Sequence, residues 1–248
     1  MIIDKQSLIN ADTNSPSFTE DEFAIDWSMT RNERYCFIQL LQKIKPKIAI
    51  EIGTFNGGSL QVISKYAEKV YAIDTDASVK ERLGSKFKNV EFLIGDSKTI
   101  APQLIQTLQE NNDPLEFVLI DGDHSTNGVY QDIKNILNYK PKTSLHIILH
   151  DSFNPTCRKG MKLYDYNKNE NVHYVELDFI TGIFSPEGLK RQMWGGFAMI
   201  LMLAEKRSTP LKINESQKKL HNLIYLQSFH LVNNLFWFLK PLFNFLKK

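Results

Sequence analysis

Between residues 47 and 151, apolar runs of strand length at 48–51, 70–74, 90–96, 117–121 and 145–151 alternate with amphipathic stretches of helix length. The stretches at 58–67, 77–87, 100–110 and 126–139 place apolar residues three and four positions apart, on one helical face. This is the rhythm of βαβ units. It confines the chain to an α/β fold built on a mostly parallel sheet with helices on both faces. Such a sheet needs apolar cover on two sides, and a chain of 248 residues that is 42% hydrophobic can supply it. That composition excludes disordered and collagen-like chains.

The flanks extend the pattern. A leading helix over 32–44 ends at Pro46, and residues 1–30 read as a polar flap or extension. After Asp151 comes a loop with Pro155, Cys157, Arg158 and Gly160, followed by strand-like VHYVELDFITGIF and FAMILML. With no helix-length pattern between them, these two runs are expected to pair antiparallel at one sheet edge, with Gly195 and Gly196 as a turn or bulge. The expected architecture is a Rossmann-like domain over 31–204 with a seven-stranded, mostly parallel sheet and an antiparallel edge. A polar linker over 205–221 then leads to an amphipathic C-terminal helix over 222–248.

That last segment carries Lys240 and Pro241 and is too interrupted to span a bilayer. It suits an interfacial helix in peripheral contact with a membrane, or a helix packed on its own domain or across a homo-oligomer contact. A formal net charge of +2 gives no reason to expect nucleic acid as a partner. Cys36 and Cys157 have no partner at redox or metal spacing and read as reduced thiols. The start MIIDKQSLINADTN lacks the basic and apolar regions of a signal peptide, so a cytoplasmic location is expected, peripheral to the membrane if the tail binds lipid.

Every predicted parallel strand ends in an acid: Glu51, Asp74, Asp96, Asp121 and Asp151. Open parallel sheets bind ligands beyond the carboxyl ends of their strands, so these side chains should converge on one crevice. Each also suits a helix cap or a turn. The first turn places Gly53, Thr54, Gly57, Gly58 and Ser59 after Glu51, which is not the G-x-G-x-x-G spacing of dinucleotide binders. A carboxylate at Glu51 would repel a pyrophosphate and attract a sulfonium and an ammonium, which favours S-adenosylmethionine over NAD. Asp74, followed by Thr75, is placed to accept ribose hydroxyls. Asp96 and Ser97 are placed to meet an adenine amino group.

Taken in order, AIEIGTFNGGSL, VYAIDTD and VEFLIGDS resemble the class I S-adenosylmethionine-dependent methyltransferases over roughly residues 35 to 204. VLIDGDHSTNGVYQDI, IILHDS and MWGGFAMILML resemble the metal-dependent O-methyltransferase branch that holds macrolide-sugar methyltransferases and cephalosporin hydroxylase-like proteins. The resemblance implies that Asp121 and Asp151 bind a divalent cation such as magnesium, and that His124 takes the proton of the acceptor hydroxyl. His150 stands where that branch often has an acid. Either it is a ligand, favouring manganese or iron, or it is a packed strand residue and Ser152 with water completes a magnesium site. The implied reaction is methyl transfer to a hydroxyl of a sugar or another small natural-product acceptor. A metal-dependent hydroxylase-like oxidoreductase, or a non-catalytic glycan- or membrane-associated module of the same fold, remains as an alternative.

Overall fold

Thr30 opens the first helix, α1 (Arg31–Ile44), with a capping box: its hydroxyl accepts from the Glu33 N–H, and its own N–H donates to the Glu33 carboxylate. The left-handed Lys45 and then Pro46 end the helix and turn the chain into β1 (Ile48–Ile52). A computed structural model describes residues 23–185 and 191–231. Residues 1–22 of the expected flap and 232–248 of the expected tail helix lie outside the described residues.

The predicted alternation follows: α2 (Gly58–Tyr66), β2 (Lys69–Asp74), α3 (Ser78–Leu83), β3 (Val90–Ile94), α4 (Ser97–Glu110), β4 (Leu115–Ile120), α5 (Thr126–Ile136) and β5 (Leu145–His150). One helix was not expected. The stretch read as a loop after Asp151 folds into α6 (Pro155–Leu163). Pro155 sits at its start, where a missing N–H costs nothing, and Asn154 caps the Thr156 N–H. Gly160, the other apparent loop signal, is instead where α6 presses on α5; a Cβ there would lie 2.6 Å from the Thr126 carbonyl oxygen.

The last strands are β6 (Val172–Ile180), β7 (Ile183–Ser185), β8 (Gln192–Trp194) and β9 (Phe197–Met202). The main sheet has seven strands in the order β3-β2-β1-β4-β5-β9-β6. β1 to β5 are parallel, and β9 runs antiparallel between β5 and the edge strand β6. The run VHYVELDFITGIF does not stay whole: after Ile180 the chain leaves the sheet at Gly182, and β7 pairs with β8 in a separate hairpin. Helices cover both faces. Leu104, Ile105 and Leu108 of α4, Ile133 and Ile136 of α5 and Met161 of α6 pack on one side of the sheet. Phe37 and Leu41 of α1, Leu60 and Ile63 of α2 and Leu83 of α3 pack on the other.

After β9 the polar stretch is held to the sheet: Asn214 exchanges backbone hydrogen bonds with Val175 and Leu177. A helix, α7 (Lys218–Gln227), then begins inside the stretch read as a linker. Among the described residues, no helix is long and apolar enough to cross a membrane.

Arg158 of α6 locks this corner. Its guanidinium is buried against both carboxylate oxygens of Asp178, at 2.7 and 3.1 Å, and reaches Glu215 at 3.2 Å. Truncating one side of such a pair leaves a buried charge without its partner. Arg158→Leu is therefore expected to lower stability by about 3–5 kcal/mol in urea unfolding, whatever its effect on activity.

Candidate active site

The carboxyl ends of β1 to β5 open into a cleft of about 1020 Å³. Its far wall is an N-terminal strap, residues 26–30, and the β7–β8 hairpin contributes Ile183 and Trp194. The strap is fastened rather than loose. Ile25 exchanges backbone hydrogen bonds with the Gln61 side chain, and Arg34 donates to the carbonyls of Trp27 and Met29.

Two of the three motif glycines, Gly53 and Gly58, serve close packing within the protein. Gly53, at φ +88°, lies against the end of β4, where a Cβ would sit 2.2 Å from the Asp121 carbonyl oxygen. Gly58 carries the strap, and a Cβ there would meet Trp27 at 2.0 Å. Gly53, Thr54, Gly58, Ser59, Asp74, Thr75, Asp96 and Ser97 all line the cleft. Several of their polar groups are already engaged. Asp74 accepts the N–H groups of Thr54 and Phe55 on one oxygen and of Asp76 on the other. Asp96 caps α4 through the Lys98 N–H, the cap its sequence position also allowed. The Ser97 hydroxyl donates to buried Asp132.

Glu51 and Gly57 do not line the cleft. Glu51 is fully buried and accepts the Ser59 hydroxyl at 2.5 Å, tying the first turn of α2 to the end of β1. Burial pushes its pKa up to about 8, against the hydrogen bond from Ser59. Burial thus works against the carboxylate form on which the sequence argument for Glu51 relies.

At the other end of the cleft the structure gathers the residues implied for metal and base. His150 Nδ1 lies 2.9 Å from Asp121 Oδ1, and His124 Nε2 lies 3.3 Å from both Asp121 Oδ1 and Asp151 Oδ2. Adjacent β4 and β5 are paired in parallel, with Ile120 beside Leu149, so the residues that follow them emerge side by side. Asp151 takes φ +57°, and its Oδ1 accepts the Gly195 N–H. His124 is not the cap of α5, which is Ser125. It packs edge-on against Trp194, with ring centroids 6.0 Å apart.

Glu33 was not anticipated. It comes from α1, is 1% exposed, and places Oε1 3.2 Å from His150 Nε2. The same carboxylate accepts the Gly196 N–H and the Thr30 N–H. The sequence marks Glu33 only as the third residue of a capping box, which says nothing about its second partner. The Gly195–Gly196 turn thus serves the site directly, its two N–H groups anchoring Asp151 and Glu33.

The result is an alternating chain, Glu33–His150–Asp121–His124–Asp151. Burial works to raise Asp121, but the positive charge of His150 and the hydrogen bond to His124 prevail and hold it at about 2. Burial dominates at Asp151 and raises it. Burial opposes charge on His150 as well, yet Asp121 and Glu33 carry it well above the ordinary range. His124 is raised by its hydrogen bond to Asp121 and by the charge of Asp151.

Asp121, His150 and Asp151 can each present a ligand atom within 4.8 Å of the others. Two carboxylate oxygens and an imidazole nitrogen, with space on the cleft side, fit a small divalent cation of intermediate hardness. Of the aromatic and basic residues after β5, Trp194 lines the cleft, whereas Arg158 and Tyr166 are buried in the structural corner.

Residues 50–152 match the family Methyltransf_24, a methyltransferase domain. An O-methyltransferase from Bacillus cereus solved with SAH is similar in structure, at 16% identity over 73% of this chain and 83% of that one, with a TM-score of 0.50. The O-methyltransferase TomG from Streptomyces achromogenes, involved in tomaymycin synthesis and solved with SAM, is similar at 15% identity over 73% and 83%, with a TM-score of 0.52. At these identities the likeness is one of fold. No curated protein sequence matches the chain. The matched stretch runs from β1 to the residue after Asp151, so it takes in the first turn and the ends of β4 and β5, and the fold around it is that of the two solved O-methyltransferases.

The buried Glu51 makes a prediction about stability. Its folded pKa, about 8, lies above its ordinary value of 4.5. Its contribution to stability is therefore fully present below about pH 4.5 and is lost as pH rises through about 8. Urea unfolding between pH 5 and about 8 should show the wild type losing stability relative to Glu51→Gln, with the two curves diverging as pH rises.

Proposed function

We propose that the protein transfers a methyl group from S-adenosylmethionine to a hydroxyl oxygen of a small-molecule acceptor, a sugar or another natural product, with the help of a divalent cation. The observation that carries this reading is the position of His124 Nε2, 3.3 Å from an oxygen of both Asp121 and Asp151 at one end of the cleft. The other end is lined by Gly53, Asp74 and Asp96, as expected for the nucleoside-bearing donor. The O-methyltransferase activity of the two solved relatives favours oxygen as the methylated atom.

Asp121, His150 and Asp151 would hold the cation, whose chemistry is to make an acceptor hydroxyl more acidic. His124 lies beside those ligands and in reach of the cleft, so it would take the proton as the acceptor oxygen bonds to the methyl carbon and the carbon–sulfur bond breaks. The products are the methyl ether and S-adenosylhomocysteine, with the proton on His124. The two carboxylates favour the protonated form of His124; positive charge beside Asp121 and Asp151 would work against that and favour an imidazole able to accept a proton. The strap and Trp194 would keep water from the reacting atoms and align them.

Calorimetric titration of metal-stripped protein with S-adenosylmethionine, alone and with magnesium or manganese, tests the donor and the cation together. Binding of S-adenosylmethionine is expected in all three cases. Asp121→Ala or Asp151→Ala should abolish turnover and leave donor binding measurable, and His124→Ala should lower kcat by about 10²- to 10⁴-fold with a smaller change in KM. Full activity in either aspartate variant would refute the metal role.

Glu33 is placed to orient His150 through the charge contact of Oε1 at 3.2 Å from its Nε2, while Nδ1 faces Asp121. Glu33→Gln sets an amide N–H₂ against a donor on one side or the other. It is expected to weaken manganese binding by about 10- to 100-fold, read by calorimetry, and to leave S-adenosylmethionine affinity unchanged.

A further inference from the structure

Helix α7 is amphipathic the wrong way round for a helix that serves only to cover its own domain. Its inward face carries buried His221 and Ser228 and half-buried Ile224 and Tyr225. Its outward face carries Leu220, Leu223 and Leu226, three residues apart, at 42%, 60% and 63% exposure, and Phe229 follows at 40%. Residues at this spacing share a face, so the leucines form one continuous apolar stripe. An apolar face left to water on an otherwise polar surface marks a contact with something else.

The inward face fixes the helix in place. His221 meets Phe153 edge-on at 5.2 Å, the Phe229 N–H donates to the Arg191 carbonyl, and His230 Nε2 accepts the Met193 N–H. The leucine stripe is therefore presented by a fastened helix, next to the β8 strand whose Trp194 lines the cleft.

Charge identifies what the stripe meets. Over residues 216–248 the sequence holds Lys218, Lys219, Lys240, Lys247 and Lys248 and no aspartate or glutamate, and the acid just before them, Glu215, is shared by Lys162, Lys218 and buried Arg158. A second copy of this chain docking through the same face would bring Lys218 and Lys219 of both copies to one contact with no acid on that face to offset them, since a two-fold contact brings identical surfaces together. A surface of anionic lipid headgroups would pair with the lysines while its acyl region takes the leucines and phenylalanines. The described helix is too short to cross a bilayer, which is consistent with lying on it.

We propose that the outward face of α7 docks on an anionic lipid surface, with Leu220, Leu223, Leu226 and Phe229 entering the headgroup boundary and Lys218 and Lys219 pairing with the headgroups. This holds whether or not the enzyme has the activity proposed above.

The test is co-sedimentation of the full chain with vesicles of phosphatidylcholine alone and of phosphatidylcholine mixed with phosphatidylglycerol. Expected are binding at least tenfold tighter to the mixed vesicles, weakening as salt rises, and a further drop of at least tenfold in the Leu220→Glu/Leu223→Glu/Leu226→Glu variant. The altered side chains are exposed, and a thermal melt checks that the variant is folded. Should it not fold, Lys218→Gln/Lys219→Glu, at exposed positions, replaces it with the same expected direction. No binding to either vesicle overturns the proposal, and so does equal binding to both. Undiminished binding by the folded variant would assign the lipid contact to another part of the chain. A vesicle-free dimer in sedimentation velocity that the leucine changes dissociate would assign the face to a second copy.

Discussion

Charge buried at the carboxyl edge of the sheet must be matched by charge of the other sign, and the site is organised around that requirement. Three carboxylates and two imidazoles alternate from Glu33 to Asp151, each within 3.3 Å of its neighbour. An isolated buried carboxylate would take up a proton. Here Asp121, flanked by His150 and His124, stays ionised at far lower pH than usual. The backbone supplies the rest: the N–H groups of Gly195 and Gly196 anchor the two ends of the chain, and Thr30 ties the first carboxylate to the strap. The strap, the β8–β9 turn and the ends of β4 and β5 are therefore parts of one electrostatic unit.

The cleft has two chemically different ends because the sheet changes direction of growth between β1 and β4. On the β1–β3 side, polar groups are largely engaged within the protein, as when Asp74 gathers three backbone N–H groups and Glu51 is turned inward onto the Ser59 hydroxyl. That side offers shape and a few remaining acceptors. On the β4–β5 side, charge is concentrated and open to the cleft through His124. The proposed methyl transfer would use this difference, with the donor held by shape at one end and the acceptor activated by charge at the other.

Much of this was legible in the sequence. The alternating runs mark the parallel sheet because burial on both faces leaves a local trace, and acids at strand ends mark the edge where the cleft opens. Asp121, His124, His150 and Asp151 were all within reach of the motifs that β4 and β5 carry. Other features left no such mark. Pro155 and Gly160 read as loop residues because local propensity cannot tell a helix start from a turn, or a close helix contact from a chain break. That Glu51 is fully buried and bonded to Ser59 could not be read from its position, which shows the strand end but not which way the carboxylate points.

The sequence by itself determined the order of elements, the class of fold and the residues delivered to the crevice, since periodicity and strand ends are properties of neighbouring residues. The tertiary structure decided which of those residues face the cleft, which are neutralised and which are joined. Glu33 meets His150 across 117 positions, and Gly196 meets Glu33 across 163. Such pairings depend on how α1 and the β8–β9 turn pack over the sheet, and burial, which sets the charge of every group in the site, exists only once that packing is complete.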